Sequence, residues 1–172
     1  MIKKIIFSFM ISFSLFANAQ DKNVFDVARK GTLEEMKSIY KSNPDLINTL
    51  SDDYTPLILA CYRANVAVAL FLINKVSDIN YSSGDGTALM AAVMSGNIQI
   101  IDQLILHKAN LNTADAQGKT ALIYAAYFNK TEIVKSLIKA GVDKKHKDSE
   151  GKTALDFANF NKNTELIILL DN

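Results

Sequence analysis

One arrangement of residue types returns along this chain at an almost constant interval, and that interval narrows the possible architectures more than any other feature. Residues 118–126 read GKTALIYAA, while YTPLILAC begins at Tyr54, GTALMAAV at Gly86 and GKTALDFAN at Gly151. The anchoring threonines, Thr55, Thr87, Thr120 and Thr153, follow one another at 32, 33 and 33 residues. Such a period signals stacked supersecondary units, because a single unit this short cannot bury its own apolar face. Each threonine is placed to cap a helix, its hydroxyl accepting an orphan backbone N–H. Leu two residues on and Ala five on share one helical face, and the small Ala admits a neighbouring helix. A second helix follows in each unit, with apolar residues at i, i+1, i+4 and i+5 forming a buried stripe.

These units resemble the ankyrin repeat, in which a T-P-L-H-like turn opens two antiparallel helices and a β-turn finger ends the unit. The third unit carries the likeness most fully, through Thr87, Ala88, Leu89, Ala92, Gly96, Ile100, Ile101, Leu104, Ile105 and Asn112. The fourth matches at Thr120, Leu122, Ala125, Ala126, Ile133, Val134, Leu137, Ile138, Gly141 and Asp143. Departures lie in the turn: only Pro56 keeps the family's proline, replaced elsewhere by Ala88, Ala121 and Ala154, and its histidine is Ile58, Met90, Ile123 or Asp156. The resemblance implies an all-α solenoid of about five helix-turn-helix units with short β-turn fingers. The expected organisation is a leader over residues 1–19 and a repeat domain over 20–172, with units near 22–53, 54–85, 86–117, 118–150 and 151–172.

The two end units differ from the middle. The first lacks the T-P-L opening but keeps VARKG, with Gly31 expected to end its first helix. Pro44 is expected to terminate its second helix, since proline offers no N–H and disfavours helix at Asn43. In the last unit, Leu166, Ile167, Ile168, Leu169 and Leu170 run without interruption, so Ile168 or a neighbour should face solvent. Between units, the D-x-x-G turns at Asp115 and Asp148 call for a glycine with positive φ.

Composition excludes several functions. The chain has 172 residues, 19 basic against 18 acidic, and a formal net charge of +1. No basic stripe for nucleic acid follows from that balance. The opening MIKKIIFSFMISFSLFANAQ sets Lys3 and Lys4 before an apolar run and then Ala17-Asn18-Ala19. That order is the order of a secretory signal peptide, and the apolar run is shorter than the roughly 20 residues of a spanning helix. The expectation is an exported protein, periplasmic first and secreted second, with no stable membrane insertion after cleavage.

Residues that could carry chemistry do not assemble into a site. Gly118-Lys119-Thr120 and Gly151-Lys152-Thr153 look like the end of a phosphate-binding loop, yet Thr113 and His146 stand where its first glycine is required. His107, His146 and Cys61 are the only residues of their kinds, too few for a zinc site. Cys61 takes a small-residue position equivalent to Ala126 and reads as a buried structural thiol. His146 lies beside Lys144, Lys145 and Lys147, a solvated cluster or a contact for an anion. Asp52 with Asp53, and Asp143 with Asp148, read as turn-forming acids. No catalytic, metal or cofactor-binding residue is expected, and the chain is read as a non-enzyme.

One constellation remains. Seven residues beyond each anchoring threonine stand Tyr62, Met94, Tyr127 and Phe160, with Phe128 beside the third. The resemblance places this position near the end of the first helix, on the concave face that ankyrin proteins present to partners, where polar residues are common. Aromatic side chains and Met in register imply an anchoring strip, with Tyr81, Lys119 and Lys152 as its polar rim; the alternative is a packing ladder. The expected function is protein–protein interaction by a monomer. Alternatives are an immunity or inhibitor protein for one toxin or enzyme, and, from another class, an enzyme or small-molecule binder with a non-obvious site.

The leader yields the first prediction. Exported protein should begin at Gln20, because Ala17 and Ala19 supply the small side chains that signal peptidase needs. Intact-mass measurement should show residues 1–19 missing; a full-length, membrane-embedded product would refute it.

Overall fold

The computed structural model describes residues 23–171; the leader expected over residues 1–19 lies outside them. The described residues form helix pairs: α1 (Val24–Lys30) with α2 (Leu33–Ser42), α3 (Pro56–Tyr62) with α4 (Val66–Ile73), and α5 (Ala88–Ser95) with α6 (Ile98–Leu106). Two more pairs follow, α7 (Ala121–Tyr127) with α8 (Thr131–Lys139) and α9 (Ala154–Phe160) with α10 (Thr164–Asp171). The first helices pack on one another in the order α1, α3, α5, α7, α9, and the second helices in the order α2, α4, α6, α8, α10. This is an all-α solenoid of two helix rows. One finger adds a small antiparallel pair, β1 (Ser82–Ser83) and β2 (Gly86–Thr87), with Ser82 opposite Thr87.

The anchoring threonines start the first helices as their spacing requires. Their hydroxyls accept from the backbone N–H three residues on: Ile58 at 3.2 Å, Met90 at 3.4 Å, Ile123 at 3.4 Å and Asp156 at 3.3 Å. Thr32 does the same for α2, where Glu35 returns a bond to the Thr32 N–H and completes a capping box. Five residues beyond each anchor, Ala60, Ala92, Ala125 and Ala158 are 0% exposed, and the first unit carries buried Val27 at the corresponding place. The second helices bury the expected stripe, including Ile100, Ile101 and Leu104 on α6 and Ile133, Val134 and Leu137 on α8.

In the last four pairs the chain turns between the helices through a left-handed residue, and the same place is held by Ala64 (φ 52°), Gly96 (77°), Asn129 (54°) and Lys162 (54°). The residue after the turn helps to join units. Asn65 donates its side-chain N–H to the Gly31 carbonyl at 2.9 Å and to Ala28 at 3.2 Å, capping the end of α1 in the unit before.

On the far side of the stack, side-chain carbonyls accept from the next unit's backbone: Asn48 from Ser77 at 2.9 Å, Asn80 from Asn110 at 2.7 Å, and Asn112 from Asp143 at 2.9 Å. At the fingers, Ala116 N–H donates to Gly84 O and Ser149 N–H to Gln117 O. Gly118 has φ 73°, and an added Cβ would come within 2.8 Å of the Ser149 nitrogen, so both conformation and proximity demand glycine. Asp52 and Asp53 take positive φ at the tip of the first finger, closing a two-residue turn bridged by Ser51 and Tyr54.

The end units refine three expectations. Gly31 does cap α1, but at φ −84° rather than left-handed; it is glycine because a Cβ would lie 2.6 Å from Val27 Cα. Pro44 follows the end of α2 and starts a 3-10 turn, Pro44–Asn48, that buries Ile47. In α10 the apolar run divides: Leu166 and Leu170 are buried and Ile168 is 58% exposed. Lys135 on α8 pairs with Glu165 on this helix at 2.6 Å and with Glu132 on its own at 2.9 Å. Among the described residues no helix is long and apolar enough to cross a membrane.

Two outcomes follow from this packing. Ala64→Gly should stabilise the protein by about 0.5–1 kcal/mol, because relief of left-handed strain outweighs the added freedom of the unfolded chain. Urea unfolding checks this, and a lowered midpoint would contradict it. Cys61 is fully buried, and burial pushes its thiol up, away from the reactive thiolate. Native protein should therefore react slowly with thiol reagents and quickly in denaturant; rapid native labelling would show the packing to be wrong.

Candidate functional site

The first-helix row carries a groove of about 590 Å³. Helical geometry builds it, because residues three apart on one helix share a face. Leu59 and Tyr62 on α3, Ala91 and Met94 on α5, and Tyr124 on α7 all line it, with Arg29 and Arg63 at the helix ends and Asp85 in the finger. Small Ala91 between larger neighbours leaves the hollow.

Two tyrosines along the groove are bound to finger carboxylates. The Tyr54 hydroxyl donates to Asp85, and the Tyr124 hydroxyl donates to Asp115 at 2.6 Å. Asp115 is buried and accepts further bonds from the backbone N–H groups of Gln117 (2.9 Å) and Lys119 (2.8 Å). Burial first, and then Asp115, push the Tyr124 hydroxyl well above its ordinary range, so it stays protonated and serves as a donor. The arginines are differently placed. Arg29 meets Asp26 at 3.6 Å in a solvent-facing pair, whereas exposed Arg63 has no ion-pair partner among the described residues.

The expected strip divides into two parts. Tyr62, 52% exposed, and half-buried Met94 line the groove. Beyond it lie Tyr127 and Phe128, 50% and 42% exposed, in edge-to-face contact at 5.0 Å. Phe128 also stacks on Tyr124 at 6.2 Å, linking this pair to the groove wall, and Tyr127 meets Phe157 edge-on at 5.5 Å. Phe160 is 82% exposed.

The three rim residues fall outside the groove lining. Tyr81 donates its hydroxyl to Asp53 at 2.6 Å, and this bond, with one from Gly84 N–H, holds the Asp53 carboxyl below the usual range. Lys119 is fixed through its backbone by Asp115, while Lys152 pairs with Glu150 at 2.7 Å and lies over the Phe157 ring. Both histidines are held by the repeat: His107 binds Asn74 of the preceding unit at 3.1 Å, and His146 reaches back across its own unit to the Gly118 carbonyl at 3.0 Å. Among the described residues no three His, Cys, Asp or Glu side chains gather as a metal site would need.

Sequence reasoning missed Tyr54, Tyr124, Arg29, Arg63 and Asp85. A signal existed for two of them. Tyr124 stands four residues beyond its threonine, hence three before Tyr127 on the same face. Arg29 lies 33 residues before Tyr62 and is the first-unit member of the same column, hidden because that unit has no anchoring threonine.

Comparison with known proteins agrees with this architecture. The chain resembles the probable E3 ubiquitin-protein ligase XBOS33 of Oryza sativa subsp. japonica, 28% identical over 59% of this chain and 20% of that protein. It is 34% identical to ankyrin repeat and SAM domain-containing protein 6 of Rattus norvegicus over 57% of this chain and 11% of that protein. Ankyrin repeat and SOCS box protein 11 of Mus musculus is 27% identical over 56% of this chain and 30% of its own length. The chain thus spans a third or less of each of these relatives. A family model described as ankyrin repeats (3 copies) matches residues 24–115 and 89–172, and with the capped, alanine-packed helix pairs it shows that this chain belongs to the ankyrin-repeat family.

Proposed function

We propose that this protein is a binding module working in an exported compartment, and that its partner docks on the first-helix row through the groove and the aromatic side chains beyond it. Ankyrin repeats are protein–protein interaction modules and generally not enzymes, and that much follows from family membership. What supports the location of the site is one observation: Tyr62, Tyr127, Phe128 and Phe160 remain between 42% and 82% exposed on, or just after, first helices whose other apolar residues are buried or partly buried. Rigid aromatic groups left in solvent on one face offer large contact area at little entropic cost, the usual composition of binding hot spots. Export is supported by the lysines, apolar run and Ala17-Asn18-Ala19 at the start of the chain. Whether binding scaffolds or inhibits the partner depends on what the partner is.

Contacts with Phe128 and Phe157 make Tyr127 a poor single test, since its removal affects folding as well as docking. Tyr62 is better suited, being half exposed and within the groove. Tyr62→Ala should cost on the order of 2 kcal/mol in partner affinity and less than about 1 kcal/mol in stability. The partner is obtained by affinity capture from the native exported fraction, and titration against both proteins reads the difference. Unchanged affinity with reduced stability would make the strip a packing ladder and remove the proposed site.

A further inference from the structure

We infer that the groove receives an extended peptide segment of the partner in which a carboxylate stands beside a bulky apolar side chain, with Arg29 and Arg63 binding the carboxylate. This rests on the docking face proposed above and names the chemistry that fits it. Arg29 and Arg63 are the only two arginines in a sequence whose other basic side chains, apart from two histidines, are all lysines, and both line this one groove. Lysine would provide positive charge equally well. Guanidinium adds a planar pair of donors that matches a carboxylate and a flat surface that packs against aromatic rings, which the groove supplies in Tyr54, Tyr62 and Tyr124.

Both cations are available to a guest. Arg63 has no ion-pair partner among the described residues, and the 3.6 Å exposed pair between Arg29 and Asp26 is of the kind that contributes little. The groove is also polar along its length. Arg29 lies in the last turn of α1 and Arg63 caps the end of α3, whereas Asp85 lies in the finger that precedes α5. The guest's carboxylate must therefore sit at the helix-end side, with its apolar side chain beside it against Leu59, Tyr62 and Met94.

Length favours a peptide over a small acid. A small molecule would end within about 590 Å³, but the Phe128 ring stacked on Tyr124 carries the surface onward to exposed Tyr127 and Phe160. Only an occupant longer than the groove covers both parts.

Selection from a displayed library of random dodecapeptides on the folded repeat protein tests this. Recovered peptides should be enriched in Asp or Glu next to Leu, Phe, Tyr or Trp. Synthetic copies should lose about tenfold or more in affinity for Arg63→Glu and for Arg29→Glu, retain more with Arg63→Lys, and weaken with Tyr62→Ala. Selection repeated on Arg63→Glu should turn the enrichment toward Lys and Arg. Circular dichroism and thermal unfolding establish that each variant is folded, and either arginine alone suffices if the other variant is not. Peptides that bind without acidic residues yet weaken with Tyr62→Ala would overturn the carboxylate assignment and leave the docking face standing. Peptides insensitive to all these changes, or no enrichment at all, would overturn the peptide-binding groove, and insensitivity to Tyr62→Ala would remove the face as well.

Discussion

Ala60, Ala92, Ala125 and Ala158 recur at one position of the first helices and are completely buried there, and side chains this small let neighbouring helices approach closely, which bears on everything built on that row. Helices in contact through larger side chains stand farther apart within the usual range of about 8–10 Å. Side chains on α3, α5 and α7 line one groove rather than separate hollows. Inserting bulk there would cost about 1–3 kcal/mol and spread the helices. None of these alanines lines the groove itself.

The fingers are held by a different kind of force. Asp115 and Asp148 are buried carboxylates, each accepting backbone N–H groups from its own turn, so burial leaves them satisfied rather than stranded. Asp115 also takes the Tyr124 hydroxyl, which makes one residue the joint between a finger and the groove wall. Asn48, Asn80 and Asn112 bind the next unit's backbone on the other side. Each bond contributes modestly, about 1 kcal/mol net. Their repetition fixes the rotation between neighbouring units, so that equivalent residues stay aligned along the stack.

How the site could be read from sequence depended on period and on helix geometry together. Counting from each threonine found Tyr62, Met94, Tyr127 and Phe160, because equivalent positions repeat every 32 or 33 residues. Applying the same count to the unit without a threonine would have added Arg29. Tyr124 required the further step that residues three apart share a helical face. Asp85 and Tyr54 were beyond either rule, since their bond joins one finger to the next across 31 residues. Tyr81, read as part of the rim, donates its hydroxyl to Asp53 in the preceding finger, a bond that neither rule anticipates.

Taken alone, the sequence determined the kind of object this protein is. Thr caps, Ala five residues on, and paired apolar stripes at a 33-residue period leave a stack of helix pairs as the arrangement that buries those stripes, and local rules of capping and periodicity suffice to see it. Tertiary structure decided what the surface offers. Whether an aromatic side chain ends in solvent, as Phe160 does, or against a neighbour, as Tyr127 does against Phe157, depends on which residue the adjacent unit brings opposite it. Likewise Arg29 and Arg63 stand apart in sequence and meet at one groove only because α1 packs on α3. Such meetings are set by the rise and rotation from one unit to the next, which arise from the summed contacts between units and are written in no single unit.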